Sequence, residues 1–229
     1  MNNFGESNLG QNKLGQNDLG ENKFTLSKIK ICGLTRQRDI DAVNAILPDY
    51  IGFVFAKSRR QINRDTAKVL KDNLNPSIEA VGVFVNEEIE QIVTLCNSNI
   101  IDIIQLHGDE DADYIRRLRL LIPNKIIKAI RVKALDDIKR ANEFPCDYLL
   151  LDAYQEAQYG GSGKTFDWSV IFNMSKPYFL AGGIHLGNIL NAQELCNPYC
   201  IDVSSGVETN GYKDANKMID IVSKIRSVR

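Results

Sequence analysis

From residue 28 onward the chain alternates short apolar runs with segments whose apolar positions recur every three or four places. The runs are KIKICG (28–33), YIGFVF (50–55), EAVGVFV (79–85), IDIIQLHG (101–108), KIIKAIRV (125–132), DYLLLD (147–152), PYFLAGG (177–183) and CIDVSSG (200–206). Each is short and rich in β-branched or aromatic residues, which predicts a strand. Helical periodicity predicts helices over 37–47, 63–73, 87–96, 111–121, 135–142 and 186–195, a short helix from Asp167 and a last one from Lys213 onward. Continuous apolar runs belong to strands buried on both faces, as in parallel sheets. Eight such units in about 200 residues predict an α/β fold, a (β/α)8 barrel near the compact end of its size range. An open doubly wound sheet is the alternative, but eight equal units with no G-x-G-x-x-G after the first strand favour the barrel. Pro48, Pro76, Pro123 and Pro145 fall at element boundaries, where they interrupt no ladder.

Residues 1–27 break this pattern. The stretch NLGQNKLGQNDLGEN repeats a five-residue unit rich in Asn, Gly and Gln with one Leu each. So little apolar surface cannot offset the entropy of ordering, which predicts a disordered tail ahead of a single domain at 28–229. The tail lacks the basic start and continuous apolar run of a signal peptide.

Composition then narrows the function classes. A hydrophobic content of 44% and a charged content of 25% in 229 residues allow a full core. A net charge of -1 argues against nucleic-acid binding, which calls for a basic stripe. No apolar run approaches the ~20 residues of a membrane span. Cys32, Cys96, Cys146, Cys196 and Cys200 form no C-x-x-C pair, and no His stands near the last two, so no metal site is expected. An odd cysteine count without a signal peptide suits a reducing cytoplasm.

The stretch LLLDAYQEAQYGGSGKTFDW (149–168) carries the first chemistry. A strand delivers a carboxylate, Asp152, and breaks into a loop where Gly160, Gly161 and Gly163 free the backbone to curl around an anion, with Lys164 adding charge. Thr165 and Asp167 can cap a following helix. GSGKT is not a P-loop: the position five before Gly163 is Gln158, and the loop from Asp152 is too long. In a barrel of this kind functional groups gather at the C-terminal strand ends. Those ends offer Cys32, Arg60 just beyond strand two, His107, Asp152, Gly182–Gly183 and the turn from Asp202 to Gly206. A thiol and a carboxylate on different strands can act as base and acid on opposite sides of one substrate.

Seven motifs in order, KICGLT (30–35), GFVFAKSRRQI (52–62), VGVFVN (81–86), QLHGDE (105–110), the stretch at 149–168, LAGGI (180–184) and DVSSGVE (202–208), resemble the phosphoribosylanthranilate isomerase family. The resemblance spans the chain after Lys28. It implies a (β/α)8 barrel without a cofactor, acting in tryptophan biosynthesis on a phosphorylated sugar–anthranilate substrate, as a monomer or homodimer. It implies an Amadori rearrangement of N-(5'-phosphoribosyl)anthranilate, with Cys32 as general base and Asp152 as general acid. Arg60 takes the position that binds the anthranilate carboxylate, which a planar guanidinium suits, while Arg59 is read as a surface residue. The phosphate is expected against the turns after strands seven and eight, at Gly183 and Ser204, Ser205 and Gly206, with Gly161 and Ser162 closing over it. Asp202 is expected to line the pocket or support the anthranilate amine. His107 is open between pocket lining and packing.

Two rivals stay in view. Indole-glycerol-phosphate synthase or an imidazole-pathway isomerase calls for a Lys–Glu set, or an Asp where this chain has Cys32. A non-catalytic phosphate-ligand sensor on a barrel scaffold would have no need of both Cys32 and Asp152.

Overall fold

The structure, a computed structural model, describes residues 26–153, 167–171 and 174–227. Eight strands close into a parallel barrel in chain order: β1 (Lys28–Cys32), β2 (Tyr50–Val54), β3 (Glu79–Phe84), β4 (Ile103–Leu106), β5 (Lys125–Val132), β6 (Tyr148–Ala153), β7 (Tyr178–Leu180) and β8 (Cys200–Val203). Closure runs through β1, which pairs with β2 from Lys30 to Cys32 and with β8 from Lys28 to Ile31. Helices α1 (Gln37–Ile46), α2 (Arg64–Asp72), α3 (Ile89–Asn97), α4 (Ala112–Arg119), α5 (Leu135–Ala141), α6 (Ile189–Cys196) and α7 (Ala215–Arg226) cover the outside. Between β6 and β7 the described residues hold a one-turn 3₁₀ helix, Trp168–Val170, in which the Asp167 side chain accepts from Ser169 N. The sequence pattern therefore locates all eight strands. It misses two elements between β8 and α7, a one-turn 3₁₀ helix at Ser205–Val207 and a two-stranded antiparallel hairpin of β9 (Glu208–Thr209) and β10 (Tyr212–Lys213). The tail before residue 26 and the glycine-rich loop with Gly160, Gly161, Ser162, Gly163, Lys164 and Thr165 lie outside the described residues.

Local chemistry explains the elements. Asn63 and Asp111 accept hydrogen bonds from Thr66 N and Tyr114 N, both at 2.8 Å, and so cap α2 and α4. At the N-terminal end of the barrel a carboxylate precedes each of three even strands and grips the strand before it. Asp49 accepts from Ile29 N, Asp102 from Ala80 N and Asp147 from Ile126 N, at 2.9, 2.7 and 2.7 Å. A one-residue slip would turn every inward side chain outward, so these bonds hold the register on which the pocket depends.

The apolar side chains fall into two clusters. One lies between sheet and helices and includes Ile31, Phe53, Ile104, Leu151, Leu180 and Ile201. The other fills the barrel: Tyr50, Val81, Ile103, Leu150, Phe179 and Cys200. Tyr148 meets Phe179 edge-on at 5.6 Å and stacks on Tyr199 at 5.1 Å, closing the N-terminal end.

Candidate active site

Strand alternation decides what stands above the inner core, because residues two apart share a face. One step of two residues toward the C-terminal end takes Val81 to Val83, Ile103 to Gln105, Leu150 to Asp152, Phe179 to Ala181 and Cys200 to Asp202. All five resulting residues line a cavity of about 420 Å³, joined by Cys32. The interior thus turns from apolar to chemically active within one layer. Gly52 belongs to the same level: a Cβ there would lie 2.6 Å from Cys32 Sγ, so glycine leaves the thiol its space.

Beneath the cavity lies a buried polar network. Lys30 is fully buried and donates to Asp202 Oδ2 and Gln105 Oε1, both at 2.8 Å. Its charge also acts on the Cys32 thiol. Burial works against the Lys30 charge, but Asp202 and Cys32 outweigh it and hold the ammonium above its ordinary pKa. Burial pushes the Cys32 thiol up, and Asp202 adds to this; Lys30 and Lys213 pull it down without reversing the shift. The resting group is a thiol beside two ammonium groups. On the far side, Asp152 accepts from Ala153 N at 2.8 Å through Oδ1, while its Oδ2 lies 3.3 Å from His107 Nε2. Gln105 Nε2 meets His107 Nδ1 at 2.8 Å, so His107 both lines the cavity and belongs to the network.

At the rim, Arg60 is gripped along one edge by Glu208, Nε to Oε1 at 2.7 Å and Nη2 to Oε2 at 3.1 Å. Glu208 also accepts from Lys213 at 2.7 Å and from the exposed Arg59 at 2.5 Å. Burial opposes ionisation of Glu208, but Arg60 and Lys213 hold its carboxyl below the usual range. The same pair shifts its other member down as well, because burial and nearby Arg60 weigh more on Lys213 than Glu208 does. The geometry supports a charged carboxylate shared by three cations. Gly33 makes room for this arrangement: its φ is +87°, and a Cβ would meet Arg60 Cδ at 2.4 Å.

The cavity therefore brings together Cys32, Arg60, His107, Asp152, Gly183, Asp202, Ser204 and Ser205, eight of the residues singled out from the sequence. Gly206 is not in its lining; a Cβ there would meet Ile184 O at 2.0 Å, so the glycine serves close passage of the turns after β7 and β8. Gly161 and Ser162 lie outside the described residues. The sequence reasoning did not single out Lys30, Gln105, Lys57, Glu208 or Lys213. The missed signal is parity: Lys30 and Gln105 stand two residues before Cys32 and His107, on the same face of each strand.

Comparison with known proteins converges on one family. The family model described as N-(5'phosphoribosyl)anthranilate (PRA) isomerase matches residues 29–224. An N-(5'-phosphoribosyl)anthranilate isomerase of Endomicrobium trichonymphae is 49% identical over 203 residues, covering 89% of this chain and 100% of the relative. The crystal structure of phosphoribosyl anthranilate isomerase from Thermotoga maritima superposes with a TM-score of 0.79 at 36% identity, covering 88% of this chain and 100% of that one. A phosphoribosyl anthranilate isomerase solved in complex with reduced 1-(O-carboxyphenylamino)-1-deoxyribulose 5-phosphate gives a TM-score of 0.77 at 32% identity, again over 88% and 100%.

Proposed function

Because the chain belongs to the N-(5'-phosphoribosyl)anthranilate isomerase family of enzymes, we propose that it converts N-(5'-phosphoribosyl)anthranilate to 1-(2-carboxyphenylamino)-1-deoxyribulose 5-phosphate in tryptophan biosynthesis. The reaction is an Amadori rearrangement within one domain spanning residues 28–229. Asp152 protonates the furanose ring oxygen as the C1–O bond breaks, and the nitrogen lone pair forms a Schiff base at C1. The Cys32 thiolate then removes the proton on C2, and the electrons of that C–H bond move toward nitrogen to give the enolamine. Tautomerisation to the ketone completes the rearrangement, with no net gain or loss of protons.

The observation that carries this reading is a single cavity holding a thiol and a carboxylate from β1 and β6, a guanidinium at one rim, and glycine–serine turns at another. Arg60 would take the anthranilate carboxylate, since Glu208 occupies its Nε edge and leaves Nη1 for a second acceptor. Gly183, Ser204 and Ser205 would hold the phosphate, and the family resemblance assigns Gly161 and Ser162 to the loop enclosing it. The buried Asp202 Oδ1 has no hydrogen-bond partner among the described residues, and the amine N–H of the substrate would satisfy it. Lys30 addresses the difficulty of a thiol as base: its ammonium is the charge against which a thiolate can form once substrate is bound. Catalysis is tested by following loss of the fluorescent anthranilate substrate with purified protein; an absence of turnover removes the proposal.

A further inference from the structure

We propose that Gln105 is a positioning residue that holds His107 as the neutral Nε2–H tautomer, so that a proton entering the His107–Asp152 pair goes to Asp152. The proposal deepens the reading above and rests on its assignment of Asp152 as general acid.

Lys30 sets the orientation of the network. An ammonium can only donate, so the atom of Gln105 that meets it at 2.8 Å is the amide oxygen. That fixes the other end of the amide: Nε2, a donor, faces His107 Nδ1 at 2.8 Å. Nδ1 must then be the accepting, unprotonated nitrogen, and in a neutral ring the proton sits on Nε2. Nε2 lies 3.3 Å from Asp152 Oδ2, out of line for a hydrogen bond, and it is buried without another partner among the described residues. An imidazolium would place an N–H of Nδ1 against the amide N–H of Gln105, two donors facing each other in a buried site. The chain from Asp202 through Lys30 and Gln105 therefore works against protonation of His107.

This matters to the acid because a charged imidazolium beside Asp152 would hold it as a carboxylate, with no proton to give. The remaining groups around His107 do not replace Gln105 in this task. β1 contributes Lys30 and Cys32, and β8 contributes Asp202, all on the far side of the amide. Val83 of β3 and Val85 just after it, Ala181 just after β7, and Lys57 and Arg60 at the rim complete the surroundings. Arg131, on β5 beside Asp152, pairs with Asp109.

The test uses the full chain labelled with 15N. It contains two histidines, so His185→Gln assigns the His107 ring signals. In the wild-type protein at neutral pH the Nδ1 resonance is expected to be that of an unprotonated acceptor and Nε2 that of an N–H. Gln105→Met removes the donor, and a proton on Nδ1 is then expected to appear in the spectrum. kcat falls about tenfold for each unit by which proton preference moves from Asp152 to His107, with KM little changed. Gln105→Glu, which would accept from a protonated Nδ1, is expected to go further in both respects. A protonated Nδ1 in the wild-type protein at neutral pH would overturn the proposal, as would a fall in kcat in Gln105→Met with Nδ1 still unprotonated. The wild-type spectrum decides the tautomer even if a variant fails to fold. Failure of the acid assignment shows separately, as full kcat in Asp152→Asn, in which the His107 tautomer can still be read.

Discussion

As the proposed base, Cys32 has to lose its proton in a place that keeps substrate dry, and those needs conflict. Burial drives the thiol up, and the neighbouring Lys30 and Lys213 only partly offset it. The sign has a direct consequence for the free enzyme. Alkylation of Cys32 by iodoacetamide should be slow at neutral pH and should climb through a midpoint above the ordinary thiol value. Reaction at neutral pH as fast as that of a free thiol would show that the resting group is already the thiolate. In turnover, Cys32→Ala and Asp152→Asn are each expected to lower kcat by at least ~10²-fold, the scale of losing a general base or acid. Near-wild-type kcat in either variant would take that residue out of the mechanism. That both residues line the cavity was legible in the sequence, because they end the first and sixth apolar runs of a barrel whose functional groups gather at the C-terminal strand ends. Lys30 and Gln105 were not. Inside KIKIC and IIQL they look like polar residues facing solvent, and only the closed barrel makes that face an interior.

The β9–β10 hairpin is the element that brings Glu208 to the rim. Asn210 and Gly211 close it with φ values of 52° and 82°, the left-handed pair that a two-residue hairpin turn requires. The Asn-Gly signal stood in the sequence, but the strands it joins are two residues each and polar, so periodicity gave no sign of them. Their effect is to set Glu208 and Lys213 opposite Arg60. If that pairing orients the guanidinium for substrate, Glu208→Gln should raise KM about tenfold, equivalent to ~1.4 kcal/mol, and change kcat less. A loss in kcat with KM unchanged would place Glu208 in the chemical step instead. Stability offers an independent check. The folded-state pKa of Glu208 is depressed, so its contribution is full above 4.5, the ordinary value, and is lost as pH falls through the folded value. The gap in Tm between wild type and Glu208→Gln should therefore narrow as the pH drops below 4.5. A gap that widens there would contradict the charge assignment.

For the molecule as a whole, the eightfold repeat was readable because most strand residues are buried on both faces, so each strand appears as an apolar run with few polar interruptions. What the pattern could not give was the point at which the chain becomes indispensable. Closure depends on β1, which joins β8 through four register pairs from Lys28 to Ile31. Just before it, Ser27 Oγ donates to Pro198 O at 2.7 Å, and Lys28 N donates to Tyr199 O at 3.0 Å. Among the described residues, the contacts that close the barrel begin at residue 27. Deleting 2–25 should accordingly leave kcat, KM and Tm at their full-length values. Extending the deletion through Lys30 removes the closing strand and with it the donor of the Asp202–Lys30–Gln105 network. That protein should not fold, because β2 and β8 would each be left with an open edge and Asp202 with an uncompensated buried charge, worth about 3–5 kcal/mol by itself. Circular dichroism and the activity assay on the two truncations decide the matter. A folded, active protein lacking residues 2–30 would refute closure through β1, and an inactive one lacking only 2–25 would give the tail a part in the enzyme.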